Sequence, residues 1–303
     1  MPVATRPRLG FLGVGWIGRS RLDAIAASGY GDVAAVADPA LPDALDSLDE
    51  LLEEDLDGIV IATPSALHAE QAIAGLERGL AVLCQKPLAR TAAETRAVVE
   101  AARGADRLLG VDLAYRHVEA FRTARTAVGG IGEVLAADLV FHNAYGPDKA
   151  WFHDPDLAGG GCVIDLGTHL VDLAVWMLDL DPQTVTSRLW GEPVERVATA
   201  ELDRVRLACS WNLHAGADAV IEASFYGTDG GVSVHNVGGS FYDFRCDRLQ
   251  GTERETLVEP PDDWMGRAAV DWARRLAAGE PFDSRAAAEC VRVAELVDRI
   301  YGR

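Results

Sequence analysis

Lysine is almost missing from this sequence. Lys86 and Lys149 are the only two, although arginine is plentiful. Basic charge as a whole is scarce, and the formal net charge is -19. A field of that sign repels phosphate backbones and anionic headgroups, which argues against nucleic acid or a membrane surface as partner. It leaves room for a local cationic pocket. Long apolar runs are also missing: stretches such as Gly58–Thr63 are far too short to cross a bilayer. The opening Met-Pro-Val-Ala-Thr-Arg-Pro-Arg lacks the apolar core and cleavage site of a secretory signal, so a cytoplasmic protein is expected. Cysteine is sparse and scattered, at Cys84, Cys162, Cys209, Cys246 and Cys290. No two lie close in sequence, which gives neither a disulfide framework nor zinc-ligand spacing, and no metal is expected.

What is present reads as an ordinary globular chain with room for two domains: 303 residues, 49% apolar and 25% charged. The first third alternates short apolar runs with helical patterns, the signature of a parallel sheet with crossover helices. The expected strands are Leu9–Gly13, Val33–Ala37, Gly58–Ala62, Ala81–Cys84 and Leu108–Val111. Helices are expected at Ile17–Ala27, Ser47–Glu54, Ala66–Arg78 and Ala92–Arg103. From about Gly129 the character changes. A helix at Val163–Leu178 precedes strand-like runs at Val185–Leu189, Val205–Leu213, Ala219–Phe225 and Gly231–Val237. Two helical stretches, Asp262–Ala277 and Ser284–Tyr301, close the chain. Successive strands after a helix predict a second, α+β domain with a mostly antiparallel sheet.

The sequence Gly13-Val14-Gly15-Trp16-Ile17-Gly18 follows the first strand and opens the first helix. Gly13 permits a tight turn, Gly15 a close backbone approach to a pyrophosphate, and Gly18 close helix–strand packing. The amides at Trp16 and Ile17 belong to the helix start that would face the anion. Asp38 ends the second strand, twenty residues beyond Gly18, where an acid accepts hydrogen bonds from ribose hydroxyls. It would repel a 2′-phosphate, and no arginine directly follows, so NAD is favoured over NADP. After the third strand, Thr63 and Ser65 are natural helix-entry residues and Pro64 fixes the turn, while His68 on that helix reads equally as an exposed helix residue.

Lys86 ends the fourth strand. Pro87 disfavours helical geometry before it and holds it extended at the sheet edge that faces the ligand crevice. From there a lysine can donate to a hydroxyl or carbonyl, or carry its proton. In the second half, Gly159-Gly160-Gly161 precedes Asp165 and His169. Four residues apart on a helix, these two share a face, and a carboxylate there can orient an imidazole for proton transfer; taken alone, the pair reads more readily as a structural histidine with a satisfied partner.

In this order the motifs resemble the Gfo/Idh/MocA family of nicotinamide-dependent oxidoreductases over nearly the whole chain. The resemblance rests on the glycine loop, the Asp38 strand end, Ala-Thr-Pro-Ser-Ala-Leu-His, Lys86-Pro87, Gly-Gly-Gly leading to Asp165 and His169, and Gly279-Glu280-Pro281-Phe282-Asp283-Ser284. It implies an N-terminal Rossmann domain over residues 1–115. It also implies an α+β domain over 116–303 with a large open sheet, whose last helix can pack back on the first domain. Burial of that sheet against another subunit would give a homodimer or homotetramer. The resemblance makes Lys86, Asp165 and His169 the catalytic trio. It places Tyr115 and Arg116 near cofactor or substrate, and adds Thr63, Pro64, His68 and Gln85 to the cofactor surroundings. The implied reaction is hydride transfer between NAD and a sugar, sugar derivative or cyclitol. The alternatives are a redox-neutral NAD-dependent glycosidase and a non-catalytic regulator of the same fold.

Two departures stand out. The family typically has Glu before Lys-Pro, and here Gln85 keeps the shape but loses the charge. Only eight residues separate Asp38 from Ser47, where a helix and a strand usually fit, so the sheet should be shortened on that side. The polar-aromatic set Asn143, Tyr145, Trp151, Phe152 and His153 is compatible with a sugar pocket or with plain loop packing.

Overall fold

The computed structural model describes residues 6–303; residues 1–5, part of the stretch read above for targeting, lie outside the described residues. The chain divides into two compact units, one running through Ala114 and including Met265–Val291, the other comprising Tyr115–Trp264 and Arg292–Arg303.

The first unit is built on five parallel strands, β1 (Arg8–Leu12), β2 (Asp32–Ala37), β3 (Gly58–Ile61), β4 (Ala81–Gln85) and β5 (Leu109–Asp112), in the order β2-β1-β3-β4-β5. The helices α1 (Trp16–Ser28), α2 (Leu48–Leu52), α3 (Ser65–Glu77) and α4 (Ala92–Ala105) make the crossovers. β3 is buried along its whole length, as a strand covered on both faces must be. α2 starts at Ser47, whose hydroxyl accepts the Glu50 amide while the Glu50 carboxylate accepts the Asp46 amide. α3 is followed by Gly79, whose φ of 79° suits a glycine helix stop. The order reverses between β1 and β3, so the turns after those strands meet at the switch point of the sheet. As the short link after Asp38 predicts, the sheet ends at β2. Only a remnant of further pairing survives, an isolated parallel bridge from Ala37 to Leu45.

The second unit opens with α5 (Glu119–Val128) and β6 (Val134–Asn143), then α6 (Pro155–Ala158) and α7 (Thr168–Leu178). It continues through β7 (Val185–Trp190), β8 (Val197–Leu202), β9 (Val205–Ser210), β10 (Ala219–Gly227), β11 (Gly231–Asn236), β12 (Phe244–Gln250) and β13 (Glu253–Val258). These strands form one sheet in the order β13-β12-β11-β10-β6-β9-β8-β7, antiparallel except for β6 beside β9. One face is apolar and packed: Ala137, Leu139 and Phe141 of β6 are buried. The other carries Asp138, Arg188, Glu201, Arg206 and Glu222. Neither α5 nor strands β6, β8, β12 and β13 is among the elements expected above. In β12 and β13, Arg245, Arg248, Glu253 and Glu255 dilute the hydrophobic signal, as does the buried Asp247, which is held by Arg254 and Thr256.

The expected helix Val163–Leu178 is not α-helical throughout. Residues Val163–Gly167 form a π-turn before α7. By length and composition the stretch Pro155–Leu178 could cross a membrane, unlike any run singled out from the sequence, but its most apolar 18 residues are 78% buried in the protein. It is core.

The chain then returns. Residues 116–303 do not form one body, because α8 (Arg267–Ala277) and the first half of α9 (Ser284–Tyr301) belong to the first unit. The reason is the apolar stripe of α8. Ala269, Trp272 and Ala273 are buried with Leu83, Leu108 and Val60. The indole of Trp272 fits where Gly110 and Gly58 carry no side chain: a Cβ there would lie 2.6 and 3.0 Å from it.

Candidate active site

In the first unit the expected cofactor residues gather at the carboxyl ends of β1 to β4. Gly13 has φ 81°, and a Cβ would sit 2.9 Å from the Ala62 carbonyl. At Gly18 a Cβ would lie 2.0 Å from the Gly13 carbonyl, so helix and turn touch only because both residues are glycine. α1 begins at Trp16, with Gly15 as its N-cap and no described side chain hydrogen-bonded to its first amides. This cradle and its outward amides fit a dinucleotide pyrophosphate. The Asp38 carboxylate accepts the Val14 amide at 2.8 Å and the Ala40 amide at 3.0 Å, which fixes its oxygens beside the loop. These residues would hold NAD.

Pro64 is the N-cap of α3, and the Thr63 hydroxyl donates to Gln71 Oε1 at 2.6 Å. His68, 1% exposed, places Nδ1 2.7 Å from the Pro87 carbonyl and Nε2 2.8 Å from the Thr63 carbonyl. Its ring lies between the turn after β3 and the turn carrying Lys86, and the neutral imidazole donates to one of the two carbonyls. Burial holds its pKa below the usual 6.5, against the pull of the two carbonyls. A group that resists charging in the fold gives stability that is present above pH 6.5 and lost as the pH falls below it. Thermal melting of His68→Gln should accordingly lose less stability than the parent between pH 7 and 5. Equal slopes would remove His68 from that role.

Gln85 donates Nε2 to Asp112 Oδ2, the oxygen that also receives Arg21 Nε at 2.5 Å. Arg21 and Asp112 are buried, at 3% and 2% exposure. The lost charge at residue 85 is thus accompanied by a carboxylate in direct contact. Neither Asp112 nor Arg21 stood out in the sequence, for want of a motif around them.

In the second unit Tyr115, Asp165 and His169 come together. Tyr115 is buried in an aromatic nest, its ring 4.8 Å from that of His169 and 5.4 Å from that of Phe121. Burial, and then Asp165, pushes its phenol well above the usual range, so it stays protonated. Asp165 accepts the indole N–H of Trp211 at 3.0 Å. The pair 165/169 spans the junction of π-turn and α-helix rather than one α-helical face. Arg116 binds Asp172 through Nε and Nη2, at 2.6 Å for the closest pair, and lies over Trp176. Its guanidinium is engaged within its own unit.

The triple glycine has a structural origin that the sequence alone hid. A Cβ at Gly161 would lie 2.0 Å from the Glu195 carbonyl, and one at Gly160 2.1 Å from the Tyr301 hydroxyl. The Glu195 carboxylate accepts the amides of Gly161 and Val163 at 2.9 Å and the Tyr301 hydroxyl at 2.7 Å. Among the aromatic loop residues, Trp151 and Phe152 stack at 3.8 Å, while Phe152 and His153 meet Trp211 edge-on. The Tyr145 hydroxyl donates to Asp218, and the Asn143 side chain accepts the Tyr145 amide. All five cysteines are free, four of them buried, and no metal-binding cluster occurs among the described residues.

Comparison with known proteins agrees with this picture. Residues 8–113 match the oxidoreductase family with an NAD-binding Rossmann fold, and residues 121–233 match the GFO/IDH/MocA C-terminal domain. The 1,5-anhydro-D-fructose reductase of Ensifer adhaerens is 38% identical over 141 residues, 45% of this chain and 42% of that protein. That alignment spans less than half of the relative's length. The D-xylose 1-dehydrogenase (NADP(+)) 2 of Haloferax volcanii is 30% identical over 300 residues, 92% of this chain and 88% of that protein. A solved levoglucosan dehydrogenase, in complex with NADH and levoglucosan, superposes with TM-score 0.83 at 21% identity and covers 98% of this chain and 97% of its own. At that identity the likeness shows the fold alone.

Proposed function

The chain belongs to the GFO/IDH/MocA family of oxidoreductases, with an NAD-binding Rossmann domain, and within that family we propose that it oxidises or reduces a CH–OH group of a sugar, sugar derivative or cyclitol. The observation that carries the reading is the retention of Lys86, Asp165 and His169 together with an intact glycine cradle. The cofactor, when bound, accepts or returns the hydride. Lys86 and His169 are the groups for the other half of the reaction: one takes the hydroxyl proton and the other stabilises the developing oxyanion. Asp165, held by Trp211, supplies the fixed negative charge of the trio. Sugar-directed names among the relatives, including a reductase of anhydrofructose and a dehydrogenase of xylose, support the substrate class. A redox-neutral glycosidase would use the same cradle without net NADH formation.

The test is a panel of sugars and cyclitols with NAD, read at the NADH absorbance, alongside calorimetric NAD binding. Turnover on any polyol supports the reading; tight binding with glycoside cleavage and no NADH would replace it. Asp38 is proposed to select NAD over NADP through the ribose hydroxyls. Asp38→Ala should weaken NAD about tenfold, the worth of a charge-assisted hydrogen bond, and narrow the preference over NADP. Unchanged selectivity would remove Asp38 from that role. We place the protein in the cytoplasm as a homodimer or homotetramer. The contact would be the open face of the eight-stranded sheet, where Thr186, Arg188, Trp190, Glu201 and Arg206 line a shallow hollow of about 820 Å³.

A further inference from the structure

Residue 85 stands immediately before the proposed catalytic lysine, and the family's usual residue there is Glu. By sequence alone, Gln85→Glu would be the mildest of changes. The structure points the other way. Gln85 Nε2 donates to Asp112 Oδ2, and Asp112 is almost fully buried at the end of the neighbouring strand β5. The same oxygen binds Arg21 Nε from α1 at 2.5 Å, while Oδ1 is buried with no hydrogen-bond partner among the described residues. The Cys84 thiol faces the same carboxylate, and burial and then Asp112 push its pKa up. Around Asp112 there is therefore one guanidinium, one amide and a neutral thiol.

We propose that Asp112 is a positioning residue for the Gln85-Lys86 step, acting through Gln85, and that it makes position 85 an obligate amide. Arg21 neutralises Asp112, and Asp112 fixes the amide nitrogen of Gln85. That leaves Gln85 Oε1 as the acceptor on the other side of the amide and settles the backbone of the Gln85-Lys86 step. A glutamate in place of Gln85 would set two carboxylates against each other with one cation between them. The pair could persist only by sharing a proton, because like charges in contact raise the pKa of one partner. A group whose folded pKa is raised stabilises the fold below its unfolded value and loses that contribution as the pH rises through the raised value.

The kinetic arm of the test rests on the oxidoreductase reading, whereas the melting arm does not. Four forms are compared: parent, Gln85→Glu, Asp112→Asn and the double swap. Gln85→Glu should match the parent near pH 4, below the free glutamate value of about 4.3, and fall behind as the pH rises to 8, its folding equilibrium constant dropping about tenfold or more. Asp112→Asn should lose stability at every pH, since it strands a buried arginine. In the double swap the amide and the carboxylate exchange places. The introduced amide can accept from Arg21 and donate to the introduced carboxylate, so the pH-dependent deficit should disappear. In turnover, Gln85→Glu should lower kcat by about a hundredfold through displacement of Lys86, with a smaller change in KM, and the double swap should recover at least a tenth of parental kcat. A Gln85→Glu protein that melts like the parent at all pH values would overturn the proposal. So would a double swap that keeps the pH-dependent deficit of the single variant. If no form turns over, the melting comparison still decides the point, and the failure falls on the proposed activity alone.

Discussion

Lys86→Ala and His169→Ala should each lower kcat by about 10²- to 10⁴-fold, the range of a positioned acid or base, while NAD affinity stays within about twofold. The expectation follows from how firmly each group is held. Lys86 lies between two anchors in its own unit: Gln85 is tied to Asp112 on one side, and the Pro87 carbonyl meets the His68 ring on the other. Its backbone is set by buried partners, so truncation removes the ammonium without loosening the turn. The glycine cradle and Asp38 lie on other strands and keep their geometry. His169 sits on the first turn of α7, its ring plane fixed against Tyr115 and, more distantly, Phe141. The proposed reaction gives both groups to one proton transfer, and on that proposal their effects should not add. The double variant should fall little below the worse single one. Steady-state turnover with calorimetric NAD binding checks all three. Parental kcat in either single variant would end that residue's assignment. A parallel loss of NAD affinity would mean the change acted through the cradle instead.

The reasons these features were legible in sequence differ from one part of the molecule to the next. The parallel sheet showed because strands buried on both faces, such as Gly58–Ile61, are continuous apolar runs bounded by turns. The glycine loop showed because backbone contacts at 2.0 and 2.9 Å admit no side chain at Gly18 and Gly13. In the open sheet of the second unit, by contrast, charged residues alternate with buried ones, and β12 and β13 were hidden. The return of α8 to the first unit was hidden too, because an amphipathic pattern announces a buried face without naming the core that buries it. In the candidate site, the residues bearing motifs stood out as patterns and the residues that hold them did not. Trp211 binds Asp165 from 46 positions away, and Arg21 binds Asp112 from 91. Such pairs leave no local spacing to detect. The triple glycine was visible as a pattern, but its cause lies at Glu195 and Tyr301.

That cause carries the second large effect. Glu195→Ala should lower stability by about 3–5 kcal/mol, a fall in melting temperature on the order of 10 °C. Glu195 is 6% exposed, and its carboxylate is the acceptor for two backbone amides and a phenol hydroxyl. Removing it strands all three donors in a place water reaches poorly, and each buried unsatisfied group costs about 1–3 kcal/mol. Tyr301 stays a donor throughout, because burial first and Glu195 second push its pKa far upward. Glu195→Gln should be intermediate: its carbonyl keeps one amide, but its NH₂ meets another donor. Tyr301→Phe should cost least, about 1–2 kcal/mol, since it loses the bond to Glu195 and the longer one accepted from the Ile164 amide. The order Ala, Gln, then Tyr301→Phe separates a carboxylate clamp from simple packing, in which Tyr301→Phe would be silent and the two Glu195 variants alike. The clamp also closes the segment that leads through the π-turn to Asp165 and His169. Glu195→Gln, assayed below its melting temperature, should therefore lose kcat while NAD affinity, which belongs to the other unit, is unchanged. Loss of stability with full kcat would make Glu195 a structural residue and nothing more.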